Sequence, residues 1–81
     1  MQDVLDLYPL IDGDTAEMLD LALHNLACLR GLTPRAHDPV VRLHLLTSLY
    51  EQARTDLFET TLAAHQHGYS PTQIAVVLNL H

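Results

Sequence analysis

The sequence has no lysine, no tryptophan and a single cysteine among its 81 residues. One cysteine excludes an internal disulfide and a cysteine-based zinc site, and it is typical of a protein kept in a reducing cytoplasm. No run of about 18 apolar residues occurs, so no membrane span is expected. The N-terminus also lacks the basic region and apolar run of a signal peptide. We therefore expect one cytoplasmic domain over residues 1–81.

Basic residues are scarce, and the charge is unevenly distributed. The formal net charge is −6, and the first twenty residues carry six acidic residues and no basic one. Because nonspecific DNA affinity comes mainly from Lys and Arg against phosphate, the composition predicts weak DNA binding for this chain alone. The sequence contains one cluster of basic residues. This cluster either contacts nucleic acid or an acidic partner, or it lies in a solvated loop whose charge balances the acidic N-terminus. It comprises Arg30, Arg35 and Arg42.

The remaining composition favours helices. Leucine accounts for 17 residues, whereas only four residues are aromatic. Leucine and alanine favour helix over strand, and no alternation of apolar and polar residues occurs. The predicted fold is all-α, a small bundle of about four helices with a long third helix, assembled as a dimer.

Capping residues predict the bounds of the first two helices. The first covers Gln2–Tyr8 and is limited by Pro9. The second begins at Asp14, with Glu17 three residues later as in a capping box, and it ends before Gly31.

The third predicted helix is unusually long. Asp38 caps its start, the helix continues to His67, and Gly68 terminates it. A break near Thr55 or Thr60-Thr61 is the alternative. A fourth, short helix follows, with a proline in its first position and a second capping box, and these features belong to Ser70, Pro71 and Gln73.

The last quarter of the chain carries a pattern of its own. A helix ending in glycine is followed by a capped short helix with spaced apolar residues, namely Gly68, Ser70, Ile74, Ala75 and Leu78. This segment resembles the first two helices of the trihelical helix-turn-helix in sigma-factor and small-regulator DNA-binding domains. The resembling unit covers residues 55–80.

The resemblance implies roles for the apolar residues of this unit. Ile74, Ala75 and Leu78 would be scaffold residues, with Ile74 facing the third helix. In that family a recognition helix follows and enters the major groove. Only His81 follows Leu80 here. The unit is therefore either the start of a helix-turn-helix that continues further or a remnant used for packing.

Two helices carry more apolar surface than one small chain is expected to cover. The second helix is apolar around most of its circumference. In the third, Leu43, Leu46, Tyr50, Ala53 and Leu57 recur at 3,4 spacing, which resembles a coiled-coil seam. These stripes belong either to one intrachain core or to pairing with a second copy, and we favour the second. The predicted dimer interface comprises Leu19, Leu23, Leu26, Leu46, Tyr50 and Leu57.

No constellation for catalysis, cofactor or metal binding is predicted, so the chain is not expected to be an enzyme. Cys28 lies on an apolar helix face and is expected to be a buried packing residue. His24 is expected to stand alone. His65 and His67 are two residues apart and point in different directions on a helix, so they cannot share a metal.

These observations favour an interaction and oligomerisation module of a small bacterial or phage regulator. The expected partner is a second copy or another protein. One alternative is a DNA-binding transcriptional regulator that acts as a dimer through its arginines. Another is an acidic protein that binds and inhibits a host factor.

Overall fold

The computed structural model describes residues 10–78. These residues contain no strand, which confirms the all-α prediction. The predicted helix over residues 2–8 lies outside the described residues. The other three predicted helices are observed as α1 (Gly13–Leu29), α2 (Pro39–Gln66) and α3 (Pro71–Val77). A short 3-10 helix (Thr33–Arg35) lies between α1 and α2.

The chain divides into two compact units, and the boundary between them falls within α2. We call Ile11–Arg54 the hairpin unit, since it contains α1 and the first part of α2. In the described part of the chain, the other unit contains Leu10 and residues 55–78, and we call it the C-terminal unit.

The hairpin unit is held together by a small apolar core. Leu23 and Ala27 of α1 pack with Val41 and Leu45 of α2, and all four are buried. Each pair has i,i+4 spacing, which places both side chains on one face of its helix. Burial of one leucine side chain stabilises the fold by about 1.5–3 kcal/mol. Partly buried residues pack around this core, namely Leu26, Leu32, Ala36, Leu46 and Leu49.

The start of α1 differs from the prediction. Asp12, not Asp14, is the N-cap. Its Oδ1 accepts hydrogen bonds from the backbone N–H of Thr15 at 2.7 Å and from the Thr15 hydroxyl at 2.6 Å. The predicted capping box of Asp14 with Glu17 is wrong because Asp14 already lies inside the first helical turn, where its negative charge still suits the helix dipole.

The end of α1 follows the prediction. Gly31 has φ 68°, the left-handed conformation that glycine adopts without a steric penalty. The Gly31 N–H donates to the Cys28 carbonyl at 3.2 Å, and the Leu32 N–H donates to the Ala27 carbonyl at 2.8 Å. This pair of bonds is a Schellman motif. Since Leu32 also packs against the core, the motif turns the chain back towards α2.

The long helix α2 is continuous over 28 residues. The predicted alternative, a break near Thr55 or Thr60-Thr61, is not observed. The Asp38 carboxylate accepts a hydrogen bond from the Val40 N–H at 2.9 Å, as its predicted capping role requires. At the other end Gly68 has φ 97°, and the Tyr69 N–H donates to an α2 carbonyl at 3.2 Å. A second glycine therefore ends the helix as predicted.

The predicted capping box of α3 is present. The Gln73 N–H donates to Ser70 Oγ at 3.2 Å, and the Ser70 N–H donates to Gln73 Oε1 at 2.8 Å. Pro71 occupies the first helical position, where its missing N–H costs no hydrogen bond. Two of the donors that a helix start leaves unpaired are thus satisfied, which supports a helix of only seven residues.

Candidate interaction surfaces

The hairpin unit exposes much of its apolar surface. Only four of the described side chains are buried apolar core residues. Several large apolar side chains of the same unit are exposed, namely Ile11, Met18, Leu19, Leu21, Leu29, Val40, Leu43 and Tyr50. Scattered exposed apolar residues are normal, but the number exposed in this unit exceeds the number that its core buries. The exposed apolar surface of the hairpin unit is therefore available for binding a partner.

The structure divides the six predicted dimer-interface residues into two groups. Leu23 is 4% exposed and belongs to the hairpin core. Leu26 and Leu46 are partly buried against the same core. These three side chains are therefore used mainly for packing within the chain. The three that stay available to a partner are Leu19, Tyr50 and Leu57.

Two of the three arginines in the predicted basic cluster face carboxylates. Arg42 on α2 donates to Asp20 on α1 at 3.2 Å, and Arg35 donates to Asp38 at 3.5 Å. Both pairs are at the surface, where ion pairs contribute little to stability. They nevertheless offset the positive charge that a phosphate would meet. The cluster is therefore a weaker anion site than its sequence suggests.

The third arginine makes a different set of contacts. Arg30 Nη1 lies 3.1 Å from His44 Nε2 and donates to Ser48 Oγ at 2.9 Å. Guanidinium groups are donors only, so the imidazole nitrogen accepts in this arrangement. Arg30 lies at the end of α1 and both of its partners are on α2. Its main effect is therefore to connect the two helices of the hairpin unit.

Two aspartates have lowered pKa values because their charged forms accept hydrogen bonds. The hydroxyl of Thr15, and then its backbone N–H, lower the pKa of Asp12. The backbone N–H of Val40 lowers the pKa of Asp38, with a smaller effect from Arg35. Both shifts arise from helix capping, so they indicate structural roles and not an acid–base site.

Cys28 is exposed, so its prediction as a buried packing residue is wrong. Its sulfur lies 3.7 Å from His24 Nε2 and accepts a weak hydrogen bond from the Thr33 hydroxyl at 3.5 Å. His24 was expected to have no such neighbour. Its spacing of four residues from Cys28 nevertheless indicates this contact, because residues i and i+4 are neighbours on a helix. Across the described part of the chain, no group of three or more His, Cys, Asp and Glu residues could hold a metal ion.

The C-terminal unit contains an apolar groove between the second part of α2 and α3. Its volume is about 180 Å³. Ile74 is half-buried and lines the groove together with Leu57 and Thr61 of α2, consistent with the expectation that it faces this helix. Tyr69 and Val77 contribute to the same wall. The predicted scaffold role of Ile74 therefore has a geometric basis.

Comparison of the chain with protein-family models, curated proteins and solved structures found no match. The resemblance of residues 55–80 to a helix-turn-helix thus stays a prediction. Within residues 10–78, no helix is long and apolar enough to cross a membrane.

Proposed function

We propose that this chain is an interaction module of a small cytoplasmic regulator and that it self-associates through α1 and α2. The observation that carries the proposal is the ratio of exposed to buried apolar side chains in the hairpin unit. Four side chains form the core, whereas eight large apolar residues of that unit are exposed. Chains of this length bury a smaller share of their surface than longer chains do, so their cores are often marginal.

A second copy is the partner that best fits this surface. Symmetric dimers are the commonest assemblies of soluble proteins, and they pair the same patch on both subunits. An apolar patch is complementary to itself, whereas two copies of a charged patch repel each other. The 3,4 spacing of apolar residues along α2 is also the pattern by which helices pair.

The link to regulation is supported by the helix-turn-helix resemblance of residues 55–80. The Ser70 capping box, the half-buried Ile74 and the apolar groove are features that a helix-turn-helix scaffold needs. A DNA-binding dimer is the alternative function. It is less favoured because Arg35 and Arg42 each face a carboxylate and the net charge is −6. An acidic inhibitor of a host factor is the other alternative, and no specific contact favours it.

Sedimentation velocity of the full chain over a dilution series tests the proposal. We expect a dimer or a larger species at micromolar concentration and dissociation on dilution. Circular dichroism of the same samples reports whether the helices persist in the dissociated chain. A fully helical monomer at every concentration would contradict the proposed self-association.

A further inference from the structure

One side of α1 carries a regular row of residues outside the hairpin core. Met18, Ala22, Asn25 and Leu29 follow one another at intervals of four, three and four residues. At 3.6 residues per turn, they lie roughly 100–160° around the helix from the core residue Leu23. Met18 is 61% exposed and Leu29 is 84% exposed. We call these four residues the outer seam.

Between residues 17 and 29, the ionisable residues of α1 lie on the other side of the helix, whereas Asp14 lies one turn before Met18, at the N-terminal end of the outer seam. Glu17, Asp20 and His24 are displaced from Leu23 by roughly 60–120° in the opposite direction around the helix. Asp20 is directed towards α2, where it pairs with Arg42. The outer seam is therefore uncharged in a chain whose net charge is −6. Such a strip suits another apolar helix better than a polyanion or a strongly basic partner.

Asn25 is the one polar member of the outer seam, and it favours a second copy as the occupant. A primary amide has both a donor and an acceptor, so two identical amides satisfy each other across an interface. In a two-fold interface the same residue is present on both sides. A single asparagine within an apolar seam is also the known device for fixing register and the number of chains in a coiled coil.

We infer that the outer seams of two copies pack against each other and that the two Asn25 amides hydrogen-bond across the interface. This inference rests on the proposed self-association and names the surface that carries it. It differs from the predicted interface, which included Leu23 and shares no residue with the outer seam. That side chain is buried in the hairpin core, whereas the outer seam lies on another side of the same helix.

Paired glutamine substitutions on α1 and α2 test the location of the interface. Met18→Gln/Leu29→Gln changes the outer seam, and Val40→Gln/Phe58→Gln is the matched control, because both are exposed apolar residues of α2 outside its 3,4-spaced seam. Glutamine is uncharged and forms helix readily, so both variants should keep their circular dichroism. In sedimentation velocity we expect the dimer Kd to rise at least about tenfold in the α1 variant only.

The outcomes separate this inference from the proposed function. If the α2 variant weakens the dimer and the α1 variant does not, the outer seam is the wrong surface but self-association stands. If the unmodified chain is monomeric throughout, the proposed self-association itself fails.

Substitution of Asn25 tests the role of the amide. Asn25→Asp places like charges opposite each other, so we expect the dimer to weaken by about tenfold or more at neutral pH. Asn25→Leu removes the polar pair, so we expect tighter association with larger species beside the dimer. An Asn25→Leu chain with the size distribution and Kd of the unmodified protein would show that the amide has no part in the interface.

Discussion

The Arg42 guanidinium lies 3.2 Å from the Asp20 carboxylate and connects α2 to α1 on the surface of the hairpin unit. The two residues are 22 positions apart in sequence, so the ion pair depends on correct packing of the hairpin. Both side chains are at least half exposed. This pair places one acidic residue of the first twenty against an arginine within the same chain.

Removal of this ion pair is expected to have a small effect on stability. Exposed ion pairs are screened by water and salt, so Asp20→Asn should lower the free energy of unfolding by less than about 1 kcal/mol. Urea denaturation measures the change, and a double-mutant cycle with Arg42→Gln isolates the pair. A coupling energy of several kcal/mol would mean that the pair is desolvated, for example by a partner.

The hairpin core should respond far more strongly to truncation. Leu45 is 2% exposed and packs between α1 and α2, so Leu45→Ala should cost about 2–5 kcal/mol. Leu43, two residues earlier on the same helix, is 65% exposed, and Leu43→Ala should change stability by about 0.5 kcal/mol or less. Thermal or urea denaturation of the pair measures the contrast. If both variants lost the same stability, the core would not lie on the face of α2 that carries Leu45.

Most helix ends could be predicted because their signals are local. Gly31 and Gly68 adopt positive φ, and Ser70 with Gln73 forms the capping box that their spacing indicates. The start of α1 could not be resolved in this way, because Asp12 and Asp14 are equally suited to capping. The Thr15 hydroxyl, which bonds to Asp12, decides between them.

The division between core and surface was harder to predict for a different reason. Because α1 is apolar around most of its circumference, its sequence does not indicate which side packs on α2. That choice depends on the pairing of Leu23 and Ala27 with Val41 and Leu45, which is tertiary information. The same ambiguity led to Cys28 being predicted as buried.

The Asp12 cap should make the stability of α1 depend on pH. Its pKa is lowered below the ordinary 3.8 by the two hydrogen bonds from Thr15. The carboxylate therefore stabilises the fold fully above pH 3.8, and this contribution is lost as pH falls through the lower folded-state pKa. Asp12→Ala should lower the thermal midpoint at neutral pH, because the Thr15 N–H loses its acceptor.

Asp12→Asn is the matched control for this prediction, since asparagine caps helices well but does not titrate. Its thermal midpoint at neutral pH should stay close to that of the unmodified chain, while the loss between neutral and acidic pH should be smaller. If Asp12→Ala leaves the thermal midpoint unchanged, the cap does not stabilise α1.

Ile74 should be the main residue that fixes α3 in the C-terminal unit. It is half-buried in the groove that Leu57 and Thr61 line from α2. Ile74→Ala should therefore cost about 2 kcal/mol, the lower end of the usual range, because the side chain is not fully enclosed. Val76→Ala is the control, since Val76 is exposed on the same helix. Amide hydrogen exchange within α3 measures the local loss, and equal exchange in both variants would remove the geometric basis for the helix-turn-helix resemblance.

Duplex DNA binding by the unmodified chain should be no tighter than micromolar in a mobility-shift assay at physiological salt, the range of nonspecific binding. The physical reason is that Arg42 and Arg35 face Asp20 and Asp38. Asp20→Asn/Asp38→Asn should strengthen binding and steepen its salt dependence, because both arginines then become available to phosphate.

Asp14→Asn/Glu17→Gln changes the net charge by the same amount without freeing either arginine, so it should strengthen binding less. If the two double variants bind equally, overall charge and not arginine pairing governs the affinity. A nanomolar, sequence-selective shift by the unmodified chain would favour the DNA-binding dimer over the interaction module, because an acidic surface with paired arginines cannot supply that affinity through phosphate contacts alone.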